Sequence, residues 1–203
     1  SISCRGDHIA YGQENFGYAT DAPHDITSMN QADVEVSTSA DSKLGEGVDV
    51  QATVAGDYVI FGGKRVKRGL IYKYSRGSGG SPKWSAAGTV EVPGIFAEEN
   101  FDNFVMGEEW VAATGQGKNL DDESSAERFV HVYMYDGGKW ILDYELPSET
   151  IPANGGTPSL ASEGLTPVVG WPKQKQVRIF QHSNGTWAPG RNGLAVLNFG
   201  DLG

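Results

Sequence analysis

The chain has 203 residues, of which 38% are hydrophobic, 21% are charged and 28 are glycine. It carries 16 basic and 26 acidic residues, and this net charge of −10 argues against nucleic acid as a partner, since phosphate binding depends on clustered Lys and Arg. The sequence contains no run of 18 apolar residues, so direct insertion into a membrane is not predicted. Cys4 is the single cysteine, which excludes an intrachain disulfide.

A recurring phrase divides the chain: a glycine, a short apolar strand, a polar loop, an alternating aromatic strand, and a glycine turn into tryptophan. The copies begin at Gly6, Gly56, Gly107 and Gly164. A repeat of roughly 50 residues cannot bury its own apolar face and has to stack on its neighbours. We therefore expect one domain over residues 1–203, with repeats at approximately 1–46, 47–98, 99–156 and 157–203.

Within the repeats, short segments rich in Val, Ile, Tyr, Phe and Trp are bounded by Gly, Pro, Asn, Asp and Ser, as is typical of strands and turns. No window shows an apolar period of 3.6 over three turns, so little helix is expected. In the third repeat the pattern predicts strands over 101–106, 109–114, 129–135 and 140–146, with a tight turn at 136–139. The predicted fold class is all-β, made of four-stranded antiparallel meanders.

Several short phrases match those of a known repeat family. Residues 56–63 form a Gly-Asp-apolar-Gly strand, residues 69–74 a Gly-apolar-Tyr strand, and residues 138–140 a Gly-x-Trp turn. Asp102 follows Phe101 where the family has Gly. Over about residues 47–200 the chain resembles the FG-GAP repeat family of β-propellers. The resemblance implies that each repeat is a propeller blade, so that the four repeats form a propeller-like array of about four blades. It also favours an extracellular or organelle-lumen location.

Two features depart from that family. Its Asp-x-Asp-x-Asp-Gly calcium loop does not occur in the sequence, so the resemblance implies no metal, although Asn119, Asp121, Asp122 and Glu123 could gather around a calcium ion. The family commonly closes with about seven blades, whereas four units fill this chain. A four-bladed ring, part of a larger propeller, and a protomer completed by association all remain open. In the ring, residues 193–198 would pair with the N-terminal repeat.

The five tryptophans fall into two groups. Three of them begin the last strand of a repeat and are expected to cover the interface between repeats: Trp84, Trp140 and Trp187. Trp110 and Trp171 break this pattern, and Trp171 stands close to Lys173 and Lys175. An exposed ring flanked by hydrogen-bond donors can stack on a sugar, so Trp110 and Trp171 are the candidate residues of a carbohydrate-binding lectin.

The loop between the second and third strands of each repeat is expected to lie on one rim. In the second repeat this loop, called the basic loop below (residues 64–68), carries Lys64, Arg65, Lys67 and Arg68. In the third repeat it carries Asp121, Asp122 and Glu123, so neighbouring loops have opposite charge. Such charge is ordinary on a solvated loop, but it also suits a contact between the basic loop of one molecule and the acidic loop of another.

The sequence contains no nucleophile elbow, metal-ligand triad or phosphate-cradling loop, so we predict no catalytic residue and no cofactor. A glycoside-active enzyme would need two carboxylates roughly 5 to 10 Å apart, which a sequence does not show. The predicted function is non-catalytic binding or assembly through the rim loops, with a protein partner or a second copy. The alternative is a carbohydrate-binding lectin with a glycan as ligand.

Overall fold

A computed structural model of the chain describes residues 2–5, 8–21, 34–37, 44, 47–75, 83–91, 97–118, 126–145, 158–163, 166–183, 186–189 and 196–198. These residues form seventeen β-strands and one 3₁₀ turn at Pro172–Gln174. In this part of the chain, no helix has the length and hydropathy that a membrane span requires. The predicted all-β class is confirmed.

The strands form four antiparallel sheets, each built from consecutive strands. Sheet 1 contains β1 (Ile2–Arg5), β2 (His8–Gly12), β3 (Phe16–Asp21) and β4 (Val34–Ser37). Sheet 2 contains β5 (Val48–Ala55), β6 (Tyr58–Lys64), β7 (Arg68–Ser75) and β8 (Lys83–Glu91). Sheet 3 contains β9 (Ala97–Met106), β10 (Trp110–Lys118), β11 (Ala126–Asp136) and β12 (Lys139–Glu145). Sheet 4 contains β13 (Ser159–Glu163), β14 (Thr166–Trp171), β15 (Gln176–Ser183), β16 (Thr186–Pro189) and β17 (Val196–Asn198).

Sheet 3 has the four strands that the sequence predicts, but three of them are longer. β9 begins at Ala97, and β10 and β11 stay paired out to Lys118 and Ala126. These extensions are polar and lack the apolar alternation by which a strand is recognised, so the pattern stops short of them. The predicted tight turn is confirmed: Gly137 and Gly138 have φ of 54° and 114°, values that favour glycine.

The C-terminal strand does not make the pairing expected for a four-bladed ring. β17 pairs with β15 of its own sheet, with Arg178 opposite Val196. Sheet 1 has its own fourth strand, since β4 pairs with β3. The expected pairing of residues 193–198 with the N-terminal repeat is therefore wrong for the described strand at 196–198, because the fourth sheet uses that strand to extend its own edge.

The sheets pack on one another in chain order. β5 packs on β1, β2 and β3; β9 packs on β5, β6 and β7; and β13 packs on β9 and β10. A polar chain follows the first strands: Gln51 Nε2 donates to Asn103 Oδ1 at 2.9 Å, and Asn103 Nδ2 donates to the Pro158 carbonyl at 2.8 Å. The first strands of sheets 2 and 3 and the residue preceding β13 are thus joined by hydrogen bonds.

Three apolar clusters fill the contacts between successive sheets, and we call them junctions 1–2, 2–3 and 3–4. Junction 1–2 includes Ala10, Ala19, Val34, Val36, Val59, Phe61, Leu70 and Trp84. Junction 2–3 includes Ile60, Val66, Ile71, Val90, Phe101, Phe104, Val111, Phe129 and Trp140. Junction 3–4 includes Trp110, Ala112, Val130, Val132, Val169, Trp171, Phe180 and Trp187. Trp84, Trp140 and Trp187 are buried and each covers the junction with the preceding sheet, which confirms their expected packing role.

Candidate functional site

The basic loop is fixed to the neighbouring sheet by its own backbone. The Arg65 amide donates to the Phe101 carbonyl at 2.7 Å, and the Phe101 amide donates to the Val66 carbonyl at 2.8 Å. Val66 is fully buried in junction 2–3. A residue in the centre of the loop therefore anchors it on β9, while the charged residues on either side of it remain exposed.

Arg65 adopts a backbone conformation that residues other than glycine seldom hold. Its φ is 65°, in the left-handed region, where a side chain costs on the order of 1–2 kcal/mol. Such a conformation persists when surrounding contacts hold it in place. Here the two hydrogen bonds between the loop and Phe101 do so. The backbone of the loop is therefore held in one conformation beside β9.

Two of the four cations have acidic neighbours. Lys64 Nζ lies 2.6 Å from Asp49 Oδ2, and Arg68 Nε lies 3.9 Å from Glu91 Oε1. Both pairs are about half exposed, so each contributes little to stability. No ion pair joins Arg65 or Lys67 to another residue that the structure describes. These two side chains are the ones most open to an external anionic group.

Asp102 lies behind the basic loop and is nearly buried. Burial raises the pKa of its carboxyl group, and the positive charges of Arg128, Lys64 and Arg65 act in the opposite direction. Asp102 is not among the site residues that the sequence predicts. The available signal was the replacement of the expected glycine after Phe101 by an acid.

The corresponding loops of the other sheets are placed only in part. Asp121, Asp122 and Glu123, together with Asn119, lie outside the described residues. In sheet 4 the connection between β14 and β15 is the 3₁₀ turn, and the exposed Lys173 and Lys175 lie there. Among the described residues, no group of three or more His, Cys, Asp or Glu side chains is arranged to hold a metal ion.

Trp110 and Trp171 do not have the exposure that the sugar-stacking hypothesis requires. Both are fully buried in junction 3–4. The rings of Trp110 and Trp187 meet edge to face at 5.8 Å, and the Arg178 guanidinium lies 4.9 Å from the Trp171 ring centre. Sheet 4 covers sheet 3 at this point, and the indoles fill the interior instead of facing solvent. That role for the two rings is wrong.

A cleft of about 420 Å³ lies between β8 of sheet 2 and β12 of sheet 3. Its lining includes Glu91, Tyr133, Lys139 and Trp140. Gly88, with φ of 132°, forms part of the wall, and a Cβ atom there would approach the Trp140 ring to 2.9 Å. The sequence does not predict this cleft, because its two walls come from different repeats and no local pattern marks it.

A buried imidazole lies behind the cleft. The Tyr133 hydroxyl donates to the Glu91 carbonyl at 2.9 Å and lies 3.5 Å from His131 Nδ1. His131 Nε2 lies 3.5 Å from a carboxylate oxygen of Glu145. The imidazole is fully buried and stacks on Phe129 with ring centres 4.3 Å apart. Burial lowers the pKa of His131 to about 4, so the ring is neutral at pH 7.

Comparison with known protein families and curated proteins assigns no family to the chain. No protein-family model matches the chain, and no curated protein matches it at a significant level. The resemblance to FG-GAP repeats therefore stays a prediction based on the phrases in the sequence.

Proposed function

We propose that the protein is a non-catalytic binding module whose basic loop holds an acidic segment of a protein partner. The observation that carries this proposal is the fixing of the loop on β9, through Val66 and the two hydrogen bonds to Phe101. A loop that is already ordered loses less conformational entropy when it binds. The propeller-like arrangement of the four sheets belongs to the same proposal, since it would bring the corresponding loops of several sheets to one rim.

Charge supports an acidic partner. The chain as a whole is acidic, with a net charge of −10, yet four cations occur within the five residues of the basic loop. A local positive patch attracts carboxylates and accelerates association with them, and an arginine can bind a carboxylate through two parallel hydrogen bonds. Arg65 and Lys67, which form no ion pair with another residue that the structure describes, are the expected first contacts.

The experiment measures binding of a fluorescently labelled deca-glutamate peptide by anisotropy. The double variant Arg65→Glu/Lys67→Glu should weaken binding by about tenfold or more, since charge-assisted hydrogen bonds each contribute on the order of 1.5–3 kcal/mol. The double variant Lys73→Glu/Lys139→Glu makes the same change in net charge at the ends of sheets 2 and 3 away from the loop, so it is the matched control and should change the affinity little. Equal losses in the two variants would show attraction to the whole surface and would refute the loop as the site.

A second variant tests whether binding depends on the fixed backbone of the basic loop as well as on its charge. Val66→Ala keeps all four cations and removes part of the buried anchor, so binding should weaken although the net charge is unchanged. Tryptophan fluorescence and circular dichroism would establish that the variant is folded. An unchanged affinity in a folded Val66→Ala protein would mean that the fixed backbone plays no part in binding.

Carbohydrate binding is the second candidate, and the cleft is the observation that favours it. A volume of about 420 Å³ falls within the range of roughly 300–1,000 Å³ typical of ligand sites. The exposed Glu91 and Lys139 offer an acceptor and a donor there, in place of the buried Trp110 and Trp171. A glycan array tests it: sugar binding that Lys139→Ala abolishes would favour a lectin, and no binding would remove this candidate.

A further inference from the structure

Each internal junction joins the same two kinds of sheet face. We call the face toward the preceding sheet the leading face and the face toward the following sheet the trailing face. On the second strands, the leading positions are Val59 and Phe61 in sheet 2, Val111 and Ala113 in sheet 3, and Val169 and Trp171 in sheet 4. All six are fully buried, because each leading face lies against a neighbouring sheet.

The leading face of sheet 1 is aromatic and half exposed. Aligned by the repeat that begins at Gly6, Ile9 and Tyr11 occupy the positions of Val59 and Phe61, yet both are only partly buried. Tyr11 lies opposite Tyr18 on β3, and their rings stack with centres 5.0 Å apart. Phe16, which is 38% exposed, continues the stack at 6.3 Å from Tyr18. The apolar face continues where none of the described sheets of this chain is seen to cover it.

The trailing face of sheet 4 is aliphatic and also half exposed. Val168 lies opposite Ile179, and Gly170 lies opposite Val177, so Val168, Val177 and Ile179 share one face. That face is opposite to Val169, which is buried in junction 3–4. The equivalent trailing residue of sheet 2, Ile60, is fully buried. Sheet 4 therefore has a trailing face of the internal kind, and no further sheet among the described residues packs on it.

The internal junctions show which of these faces fit together. In junction 1–2 the trailing face of sheet 1 supplies Ala10, Ala19, Val34 and Val36, and the leading face of sheet 2 supplies the rings of Phe61, Tyr74 and Trp84. In junction 2–3, aliphatic Ile60, Ile71 and Val90 meet the rings of Phe101, Phe104 and Phe129. In these two junctions, aromatic leading faces thus pack mainly on small or aliphatic trailing faces, whereas in junction 3–4 the trailing face of sheet 3 also supplies Trp110.

We propose that the aromatic leading face of sheet 1, formed by Ile9, Tyr11, Phe16 and Tyr18, packs on the aliphatic trailing face of sheet 4 of a second copy of this chain. The contact continues the internal junctions across two molecules and is head to tail. Two copies joined in this way at both ends would bring eight sheets together, within the four to eight blades that propellers contain. This inference uses the sheet faces and does not depend on the basic loop.

Sedimentation equilibrium at 0.5 M NaCl tests the proposal. The expected mass is twice 21.7 kDa, because an apolar contact persists at a salt concentration that screens surface charge. Tyr18→Arg, on the face of sheet 1, and Ile179→Arg, on the face of sheet 4, should each sediment as monomers. Ile141→Arg is the matched control: Ile141 is 45% exposed on β12 and belongs to neither terminal face.

Mixing the two face variants identifies the geometry. Each variant keeps one intact face. An equimolar mixture of Tyr18→Arg and Ile179→Arg should therefore regain a species of about twice the monomer mass. A contact between two aromatic faces would instead leave Ile179→Arg dimeric on its own. A wild-type monomer at all concentrations, or a dimeric Ile179→Arg protein, would overturn the proposal. Near-UV circular dichroism establishes folding, and Phe16→Arg, at a more exposed position, replaces Tyr18→Arg if that variant is unfolded.

Discussion

His131 shows how burial at one position determines a pH response. Its imidazole is fully exposed to water in the unfolded chain but is enclosed by Phe129 and Tyr133 in the fold, with the Glu145 carboxylate 3.5 Å away. Because burial lowers its pKa from 6.5 to about 4, the unfolded state binds a proton more readily than the folded state. As far as His131 determines it, the free energy of unfolding is highest above pH 6.5 and declines as the pH falls from 6.5 to about 4.

We expect lowering the pH across that window to reduce the free energy of unfolding by on the order of 3 kcal/mol through His131. Urea titrations monitored by tryptophan fluorescence at pH 7, 5.5 and 4.5 measure it. His131→Phe keeps an apolar ring in the same place and should have a flatter pH dependence over this range. Parallel curves for the two proteins would contradict the assignment.

The contribution of Asp102 to stability depends on pH with the opposite sign to that of His131. Burial raises the pKa of its carboxyl group despite the nearby Arg128, so the folded state binds a proton more readily than the unfolded state, and ionisation above the folded pKa destabilises the protein. Asp102→Asn should therefore raise the melting temperature at pH 7. The gain should shrink as the pH falls through the folded pKa of Asp102. A lower melting temperature at pH 7 would show that the ionised carboxylate is needed to hold the neighbouring cations.

The strands carry glycines at points where a neighbouring sheet comes too close for a side chain. At Gly62 on β6, a Cβ atom would lie 2.1 Å from the ring of Phe104 on β9. The close approach of sheets 2 and 3 depends on this gap, since the packed interior has no room to move aside.

Gly62→Ala should lower the free energy of unfolding by about 1–3 kcal/mol, because the methyl group overpacks junction 2–3. Gly137→Asn is the matched control: φ there is 54°, which Asn tolerates, and a Cβ atom would meet nothing within 4 Å. Chemical denaturation of both variants gives the comparison. Equal stability of the two would mean that β6 and β9 can separate without loss.

At the level of the strand, the sequence predicts what depends on local pattern. Alternation and glycine turns predicted the strands of sheet 3, and the positive φ of Gly138 agrees with the turn. The pattern did not predict that Trp110 faces sheet 4, nor that β8 and β12 enclose a cleft. Both features depend on which sheet lies opposite, and that is set by contacts between repeats far apart in the chain.

Across the whole molecule, the apolar side chains are shared between sheets. Each of the three clusters draws residues from two successive sheets, so the stability of the array resides in the junctions. Asn103 adds a polar link, because it is hydrogen-bonded both to Gln51 and to the Pro158 carbonyl.

We therefore expect a fragment of residues 47–98, with sheet 2 alone, to be unfolded, and a fragment of residues 47–156, with junction 2–3 intact, to fold. Far-UV circular dichroism and cooperative urea transitions distinguish the two states. The expectation follows from the positions of Phe61 and Ile60, which need sheets 1 and 3 as partners respectively. A cooperatively folded 47–98 fragment would contradict it.

The alternation along β6 has a consequence for how this chain can change length. Val59 and Phe61 serve one junction while Ile60, between them, serves the next. Inserting a single residue within β6 would exchange the two sets of neighbours beyond the insertion and spoil both contacts together. Insertions and deletions should consequently be tolerated in the connections and rejected inside the middle strands, so that any lineage of such chains drifts in its loops while the spacing of its strands stays constant.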